Sequence, residues 1–281
     1  MNKKNKPNWL IKAYDNYAFL NSPQARTIRV LAELLEPAAR FHKYRVKNTI
    51  VFFGSARLTS REESLKNLRN LGKKIKQLPK PSKKAQTEYE NAKQMLYMSK
   101  YYEDAVKLSE KLTLWFRELQ KKGEYYFVCS GGGPGIMEAA NKGALNAHGE
   151  SLGFNISLPT EQTPNIYQTK ELAFDFHYFF IRKFWFFYLA KGLVVFPGGY
   201  GTMDELFEIL TLVQTEKTSK RMAIVLYGKE YWNEVINFNA LVKWNVISKK
   251  DLKLFKVFDN VESAYSFLKG EITKNYLKKS K

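Results

Sequence analysis

The chain has 281 residues, 44% of them hydrophobic, so it can form one large domain or two small ones around a sizeable core. It contains no run of about 18 apolar residues and begins with a polar, basic segment, so neither a transmembrane helix nor a secretory signal is predicted. The single cysteine, Cys129, excludes an internal disulfide and favours a reducing cytoplasm, and we expect it to be a small buried residue.

The formal net charge of +19 would suit nucleic acid or an acidic membrane surface as a partner. Lysines nevertheless outnumber arginines and are scattered, with clusters at residues 3–6, 73–84 and 278–281, and no basic-region or zinc-finger pattern accompanies them. We therefore expect a lysine-rich, solvated surface rather than a nucleic-acid or membrane site. Such a basic surface would still attract a phosphorylated substrate.

Residues 1–47 are predicted to form an N-terminal helical extension. A helix start signal at residues 21–23 precedes apolar residues at helical spacing, and Pro37 predicts a second break. The apolar residues are Ile28, Leu31, Leu34 and Leu35. We expect these helices either to pack on the main sheet or to join a subunit contact.

The first predicted strand, residues 49–53, ends in the turn GSAR at residues 54–57. A small-residue turn at the carboxyl edge of a parallel sheet is a usual ligand position, which makes Ser55 and Arg57 candidates for substrate binding. The alternative for Arg57 is a plain turn with an exposed arginine.

Residues 60–122 are predicted to be helical and mostly polar. Pro79 and Pro81 interrupt them in the basic stretch 73–84, which we expect to be an exposed loop. From Ala105 to Leu119 apolar residues repeat at helical spacing, which predicts a core-facing helix rather than a cofactor site.

A second glycine-rich turn follows the predicted strand at residues 125–129. The string GGGPGIMEA begins at Gly131 and runs into a predicted helix at 139–146. The dinucleotide pattern G-x-G-x-x-G fails, because Ile136 or Glu138 stands where the third glycine belongs, and no Gly-Lys-Ser/Thr ending follows. The standard NAD and ATP motifs are therefore absent, and no cofactor is predicted.

Further strands are predicted at residues 151–158 and 172–176. The next helix, 179–189, is strongly aromatic but contains Arg182 and Lys183. Two adjacent cations in a helix of this kind need a partner, because an unpaired buried charge is costly. A substrate phosphate or a nearby carboxylate would serve, and the alternative is a side chain that reaches the surface.

The third glycine-rich turn, PGGYGTMDE at residues 197–205, lies between a predicted strand at 192–196 and a predicted helix at 206–213. Thr202 is predicted to be the N-cap of that helix and Glu205 its capping-box partner. Glycines there let backbone N–H groups approach an anion, which the helix dipole also favours. The alternative is a structural turn with an ordinary cap.

The remaining predicted elements are strands at residues 222–227 and 255–258, helices at 231–242 and 261–268, and a basic tail at 271–281. The alternation of strands and helices predicts one α/β domain over residues 48–270. Its architecture should be a Rossmann-like, doubly wound parallel sheet with helices on both faces, preceded by the N-terminal helical extension.

Residues 197–205 resemble the PGGxGTxxE signature of the Lonely Guy family, whose members were long labelled possible lysine decarboxylases. GGGPGIMEA, the GSAR turn and the pair Arg182-Lys183 also resemble signatures of that family and occur in its order. The resemblance spans about residues 45–268. Lys191-Gly192 and Glu216 depart from the family pattern, which bears on base preference more than on chemistry.

The resemblance implies a homodimer or larger oligomer that hydrolyses the N-glycosidic bond of a nucleoside 5′-monophosphate, such as AMP or a cytokinin riboside monophosphate, to free base and ribose 5-phosphate. Glu205 would stabilise positive charge on the ribosyl ring and, at a helix start, should be ionised near neutral pH. Arg182 would position ribose or phosphate. The other predicted substrate-binding residues are Gly198, Gly199, Gly201, Thr202, Gly132, Gly133, Glu138, Ser55, Arg57 and Lys183.

Other function classes remain open. Non-catalytic nucleotide or cofactor carriers, including molybdenum-cofactor carriers, need glycine turns but no carboxylate at the sugar, so the presence of both Arg182 and Glu205 favours an enzyme. A DNA-processing protein of the same superfamily would rest on charge alone. Neither a metal site nor decarboxylation is predicted, because nothing marks a pyridoxal-phosphate lysine and the histidines, His42, His148 and His177, lack metal-ligand spacing.

Overall fold

The computed structural model describes residues 9–158 and 163–277 and contains one seven-stranded sheet. The strands are β1 Asn48–Phe53, β2 Tyr126–Ser130, β3 Ser151–Ile156, β4 Ala173–Phe176, β5 Ala190–Val195, β6 Ala223–Tyr227 and β7 Lys256–Phe258. Their order across the sheet is β4-β3-β2-β1-β5-β6-β7, and every neighbouring pair is parallel.

Helices cover both faces of this sheet. They are α1 Tyr17–Leu20, α2 Arg26–Lys43, α3 Arg61–Lys76, α4 Lys83–Gln120, α5 Ile136–Asn146, α6 Phe179–Leu189, α7 Tyr200–Gln214, α8 Lys229–Val235, α9 Phe238–Lys243 and α10 Val261–Ile272. In β1, Val51 and Phe53 pack with α2, α6 and α7, whereas Ile50 and Phe52 pack with α4, α5 and α10. The predicted Rossmann-like α/β class with an N-terminal helical region is confirmed.

The strand order determines where a ligand can enter. From β1 the chain builds β2, β3 and β4 on one side of the sheet, and β5, β6 and β7 then extend it on the other side. The connections that follow β1 and β5 therefore leave in opposite directions, and in such sheets a crevice opens between them at the carboxyl edge. The three predicted glycine-rich turns follow β1, β2 and β5, so they meet at this edge.

The prediction that Pro37 breaks the N-terminal helix is wrong, because α2 continues through it. A proline lacks the N–H that would bond the carbonyl four residues earlier, which here belongs to Glu33. The indole Nε1 of Trp185 in α6 donates to that carbonyl at 3.0 Å. The carboxylate of Glu33 also accepts from the backbone N of His177 at 2.8 Å, just before α6. The bond that the proline removes is thus replaced by a contact that fixes α2 on α6.

Other helix boundaries also differ from prediction. The predicted helix at 231–242 is two helices, because the side chain of Asn237 caps α9 by accepting from the N of Ala240 at 2.9 Å. The basic stretch 73–84 is partly helical, with only residues 77–82 between α3 and α4. The predicted tail begins inside α10 and continues as a short π-helix, Thr273–Leu277.

The basic clusters at residues 3–6 and 278–281 lie outside the described residues. No described helix is both long enough and apolar enough to cross a membrane.

Candidate functional site

A cleft of about 570 Å³ opens at the carboxyl edge of β1, β2 and β5. It is enclosed by the turn after β1, the beginning of the turn after β2, the start of α7 and one side of α6. Seven of the predicted site residues line it together, namely Ser55, Arg57, Arg182, Gly199, Gly201, Thr202 and Glu205. The fold therefore gathers residues up to 150 positions apart in the sequence into one site.

The backbone of Ser55 joins the three turns that surround the cleft. Its N–H donates to the carbonyl of Pro197 at 2.9 Å, and its own carbonyl accepts from the N–H of Ile136 at 3.1 Å. The hydroxyl of Tyr231 donates to the carbonyl of Gly198 at 2.6 Å and holds the last of these turns from outside. Main-chain hydrogen bonds of Ser55 thus fix the relative positions of the three turns.

The prediction that Thr202 caps the helix after β5 is wrong, because α7 starts two residues earlier, at Tyr200, and Gly199 is its N-cap. Gly199 is extended, which allows the helix to begin at once, and Thr202 becomes a buried first-turn residue whose N–H bonds the carbonyl of Gly199 at 3.0 Å. The N–H groups of Tyr200 and Gly201 have no hydrogen-bond partner among the described residues. They are left to meet an anion in the cleft, where the helix dipole is also favourable.

Arg182 enters the cleft from α6. Its Nε donates to the carbonyl of Phe154 at 2.7 Å and its Nη2 to that of Gly131 at 3.4 Å, and the guanidinium lies over the ring of Phe186, 5.1 Å from its centroid. Burial lowers the pKa of Arg182, but an arginine stays protonated at any physiological pH. No carboxylate lies within ion-pair distance of it in the described part of the chain. The sequence predicted a substrate phosphate or a nearby carboxylate as partner for this cation, whereas its protein partners are two backbone carbonyls. N–H donors of the guanidinium remain for a ligand.

Glu205 is the other charged group at this site, and only 7% of it is exposed. Burial raises its pKa from 4.5 to about 7, although the positive charges of Arg182 and Lys183 lower it in part. Burial therefore outweighs the effect of the helix position, and Glu205 is only partly ionised near neutral pH, less than its place at a helix start predicts. Glu205 is the sixth residue of α7, beyond the first turn in which the helix dipole is effective. Its carboxyl group has no hydrogen-bond partner among residues 9–158 and 163–277, so it faces the cleft unpaired.

Residues 137–268 match the family model described as "Possible lysine decarboxylase". The predicted family resemblance is confirmed over this segment. Among solved structures, TM1055 is 18% identical at a TM-score of 0.45, with 79% of this chain and 99% of that chain covered. The Moco carrier protein from Chlamydomonas reinhardtii is 18% identical at a TM-score of 0.42, with 81% and 99% covered. The comparison with curated proteins gives no match.

The segment of the chain that matches the family model includes Glu138 and Lys183. Neither residue lines the cleft. Glu138 accepts from the hydroxyl of Tyr102 at 2.6 Å. Lys183 lies 2.7 Å from a carboxylate oxygen of Asp204 and 3.0 Å from one of Glu208, and so neutralises acidic residues on α7. In the structure, both predicted binding residues have protein partners.

Gly132, Gly133 and Gly198 also lie outside the lining of the cleft. The carbonyl of Gly132 accepts from the backbone N and from Nδ2 of Asn165, and also from Nε2 of Gln168, at 2.8 to 2.9 Å. The carbonyl of Gly133 accepts from the same Nδ2 at 2.9 Å. Gly132 and Gly133 therefore bind the segment after β3 that contains Asn165 and Gln168, and they shape the site without lining it.

The cleft is also lined by apolar residues that the sequence did not mark as site residues, namely Phe53, Met137, Ile156, Leu158 and Phe179. Gly131 is a further lining residue that was not predicted, and its carbonyl accepts from Arg182. The glycine motif contained a signal for Gly131, as its first residue, but the apolar residues resemble ordinary core positions and become lining only through the fold. No group of three possible metal ligands occurs within the described ranges.

Proposed function

We propose that this protein hydrolyses the N-glycosidic bond of nucleoside 5′-monophosphates, releasing free base and ribose 5-phosphate. The observation that supports this most is the joint presence of the unpaired Glu205 carboxyl group and the Arg182 guanidinium in a cleft that also receives the start of α7. Match to the possible lysine decarboxylase family adds support for a role in nucleotide processing or binding.

The 5′-phosphate would bind at the start of α7. Gly199 and Gly201 are exposed, and a Cβ atom added to either would meet nothing within 4 Å, so the backbone there is open to a ligand. The N–H groups of Tyr200 and Gly201 would donate to phosphate oxygens. Arg57, exposed on the opposite turn, would add a positive charge.

The chemistry would take place beside Glu205. As the bond from the anomeric carbon to the base breaks, positive charge develops on the ribosyl ring, and an ionised carboxylate close to it stabilises that charge. Glu205 would then accept a proton from the water that attacks the anomeric carbon. The base would take its proton from solvent as it departs, and Glu205 would return its own proton to solvent after the step. Because the pKa of Glu205 is about 7, a substantial fraction is ionised at neutral pH and able to accept the proton of the water. Arg182, fixed by two carbonyls, would hold the ribose or phosphate during the step.

Incubation with a panel of monophosphates tests the proposal, with free base detected by chromatography. AMP should be cleaved far faster than adenosine, because only AMP can use the start of α7. Equal rates on the two would contradict the phosphate role of residues 198–202. The alternative is a non-catalytic nucleotide or cofactor carrier, which the open turn at Gly199 and Gly201 would serve without help from Glu205. Calorimetric binding of AMP without release of adenine would favour that alternative.

We further propose that the working unit is a homodimer or larger. One side of α6 exposes large aromatic residues, and an apolar patch of this kind marks an interaction surface. These are Phe179, Phe180, Phe184 and Tyr188, which are between 42% and 56% exposed. Sedimentation at micromolar concentration should show an oligomer, and a clean monomer would contradict this part of the proposal.

A further inference from the structure

Helix α3 and the first half of α4 form a hairpin that extends away from the sheet. The backbone N of Arg61, at the start of α3, donates to a carboxylate oxygen of Glu103 at 2.9 Å, so these two positions lie side by side. Farther out, a Cβ atom added to Gly72 would lie 3.4 Å from the ring of Tyr89. The two helices therefore run antiparallel from the carboxyl edge, where α3 begins, over about 24 Å for a helix of 16 residues.

The outer part of this hairpin is held almost entirely by itself. The core residues of α4 begin at Tyr101, whereas Ala92 and Ser99 are the buried residues in its first 18 positions. In α3, Ser64 is the buried residue. The extensive contacts of α3 are with α4. We call residues 65–96 the arm.

The arm concentrates positive charge that looks scattered in the sequence. It has nine cations and two carboxylates, which gives it +7 of the net +19 in 32 residues. Between Glu63 and Glu88 there are eight cations and no acidic residue, and all eight are exposed. They are Lys66, Arg69, Lys73, Lys74, Lys76, Lys80, Lys83 and Lys84. None of them forms an ion pair with another described residue, whereas Lys93 nearer the domain pairs with Glu90.

We propose that this arm binds the phosphate backbone of nucleic acid. From Lys66 to Lys76 the cations follow α3 for about 15 Å, and the lysines at the start of α4 lie beside its far end, so one face of a duplex can meet several of them at once. Lysines without protein partners release counterions from a phosphate backbone on binding, which drives association without reading sequence.

A membrane surface fits the arm less well than nucleic acid does. An amphipathic helix binds a bilayer through an exposed apolar face beside its cations. In α3 the apolar side chains face α4, since Leu65, Leu68, Leu71 and Ile75 are all partly buried. The exposed large apolar residue at the outer end is Leu78. The arm thus offers charge without the apolar contact that would hold it in a bilayer.

The test compares two variants of equal net charge. In the arm variant, Gln replaces four lysines of the arm, namely Lys73, Lys74, Lys83 and Lys84. In the control, Gln replaces four lysines that are exposed on other segments, namely Lys217, Lys249, Lys250 and Lys253. Each change lowers the formal charge from +19 to +15, and Gln is a good helix former, so α3 and α4 should persist. Binding of a labelled duplex of about 20 base pairs is measured by fluorescence anisotropy across a range of salt concentrations, with DNA and RNA.

For the arm variant we expect binding at least about tenfold weaker at physiological salt, and a log–log salt slope shallower by about 3 to 4 than that of the unaltered chain. The control should bind nearly as the unaltered chain does. Equal loss in both variants would show diffuse surface charge and overturn the proposal, as would absence of duplex binding by the unaltered chain. Vesicles with phosphatidylserine provide the second comparison. If the arm variant lost vesicle binding but kept duplex binding, the arm would be a membrane contact instead and the proposal would be wrong.

Discussion

The turns after β2 and β5 look alike in the sequence, and the structure uses their glycines in opposite ways. After β5, Gly199 and Gly201 are exposed and face open space, and the first N–H groups of α7 have no protein partner among the described residues. After β2, the glycines are buried, and the first N–H of α5, at Ile136, donates to Ser55. Glycine in the turn after β5 leaves room for a ligand, whereas glycine in the turn after β2 lets other parts of the chain approach closely.

This difference separates two meanings of a glycine-rich turn at a helix start. Both turns follow a strand and precede a helix, so both satisfy the local pattern for anion binding. In the turn after β5 the glycines also face open space, because a Cβ atom added to Gly199 or Gly201 meets nothing within 4 Å, whereas Cβ atoms added to the glycines 131, 132 and 135 would overlap protein atoms. A turn whose glycines are packed against the protein contributes geometry to the site rather than contacts to the ligand.

The largest expected effect comes from Glu205, the proposed catalytic group, which lies on the helix that follows the turn after β5. Glu205→Gln keeps the size of the side chain and removes its charge, so turnover on AMP should fall about 100-fold or more, roughly 3 kcal/mol. AMP should still bind, because the start of α7 is unchanged. Turnover together with calorimetric binding checks this. If turnover stayed near normal, the catalytic carboxylate would have to be sought elsewhere, with Asp204, which also lines the cleft, as the next candidate.

The raised pKa of Glu205 predicts that turnover and folding stability change with pH in opposite directions. If the ionised form acts, turnover should increase as the pH rises through about 7. Stability should change in the other direction, because a carboxyl group with a raised pKa in the fold stabilises it fully below its ordinary value of 4.5 and loses that contribution as the pH rises through about 7. Denaturant unfolding at pH 5 and 8.5 should therefore show Glu205→Gln gaining stability over the unaltered chain at the higher pH. An equal difference at both pH values would contradict the buried, titrating carboxyl group.

Gly135 tests the turn in which the protein approaches itself. It has φ +73°, and a Cβ atom there would overlap the carbonyl oxygen of Ser55 and lie 2.7 Å from the backbone of Ala56. Gly135→Ala should therefore lower the free energy of unfolding by about 3 kcal/mol, through backbone strain and the lost bond between Ser55 and Ile136. Denaturant unfolding measures this. A loss below about 1 kcal/mol would mean that this turn can relax and that the contrast with the open turn is overstated.

The sequence predicted the strand–turn–helix units because each depends on local pattern: apolar runs, glycines and helical spacing. It did not predict which glycines were free, because that depends on Asn165 and Gln168, more than 30 residues away in the chain. It also placed the helix start at Thr202, since a hydroxyl is the usual cap, whereas Gly199 can begin the helix with an exposed N-terminus. The burial that raises the pKa of Glu205 arises only in the assembled fold, which no local pattern encodes.

A substitution at Gly131 is expected to have an effect of intermediate size, because Gly131 belongs to the turn after β2 and also lines the cleft. A Cβ atom there would lie 2.5 Å from Sδ of Met137 and 2.6 Å from Nη2 of Arg182, each at the flexible end of a side chain. Gly131→Ala should therefore displace the guanidinium without a large loss of stability, and lower kcat/KM for AMP about tenfold. Arg182→Ala should lose at least as much. Unchanged kinetics in Gly131→Ala would show that another side chain yields instead and that the position of Arg182 does not depend on this glycine.

The smallest expected effect is at Gly199, and it is the sharpest test of the open turn. Its φ of −86° suits alanine, and an added methyl group meets no protein atom within 4 Å, so Gly199→Ala should leave the free energy of unfolding within about 0.5 kcal/mol. The methyl group would instead stand beside the N–H groups of Tyr200 and Gly201, and KM for AMP should rise about fivefold, roughly 1 kcal/mol. Gly270→Ala in α10 is the matched control, because it also meets nothing within 4 Å and lies in a helix interior, where alanine adds about 1 kcal/mol of stability. If both variants left KM unchanged, the phosphate would not bind at the start of α7, and the difference between the two turns would concern the fold alone.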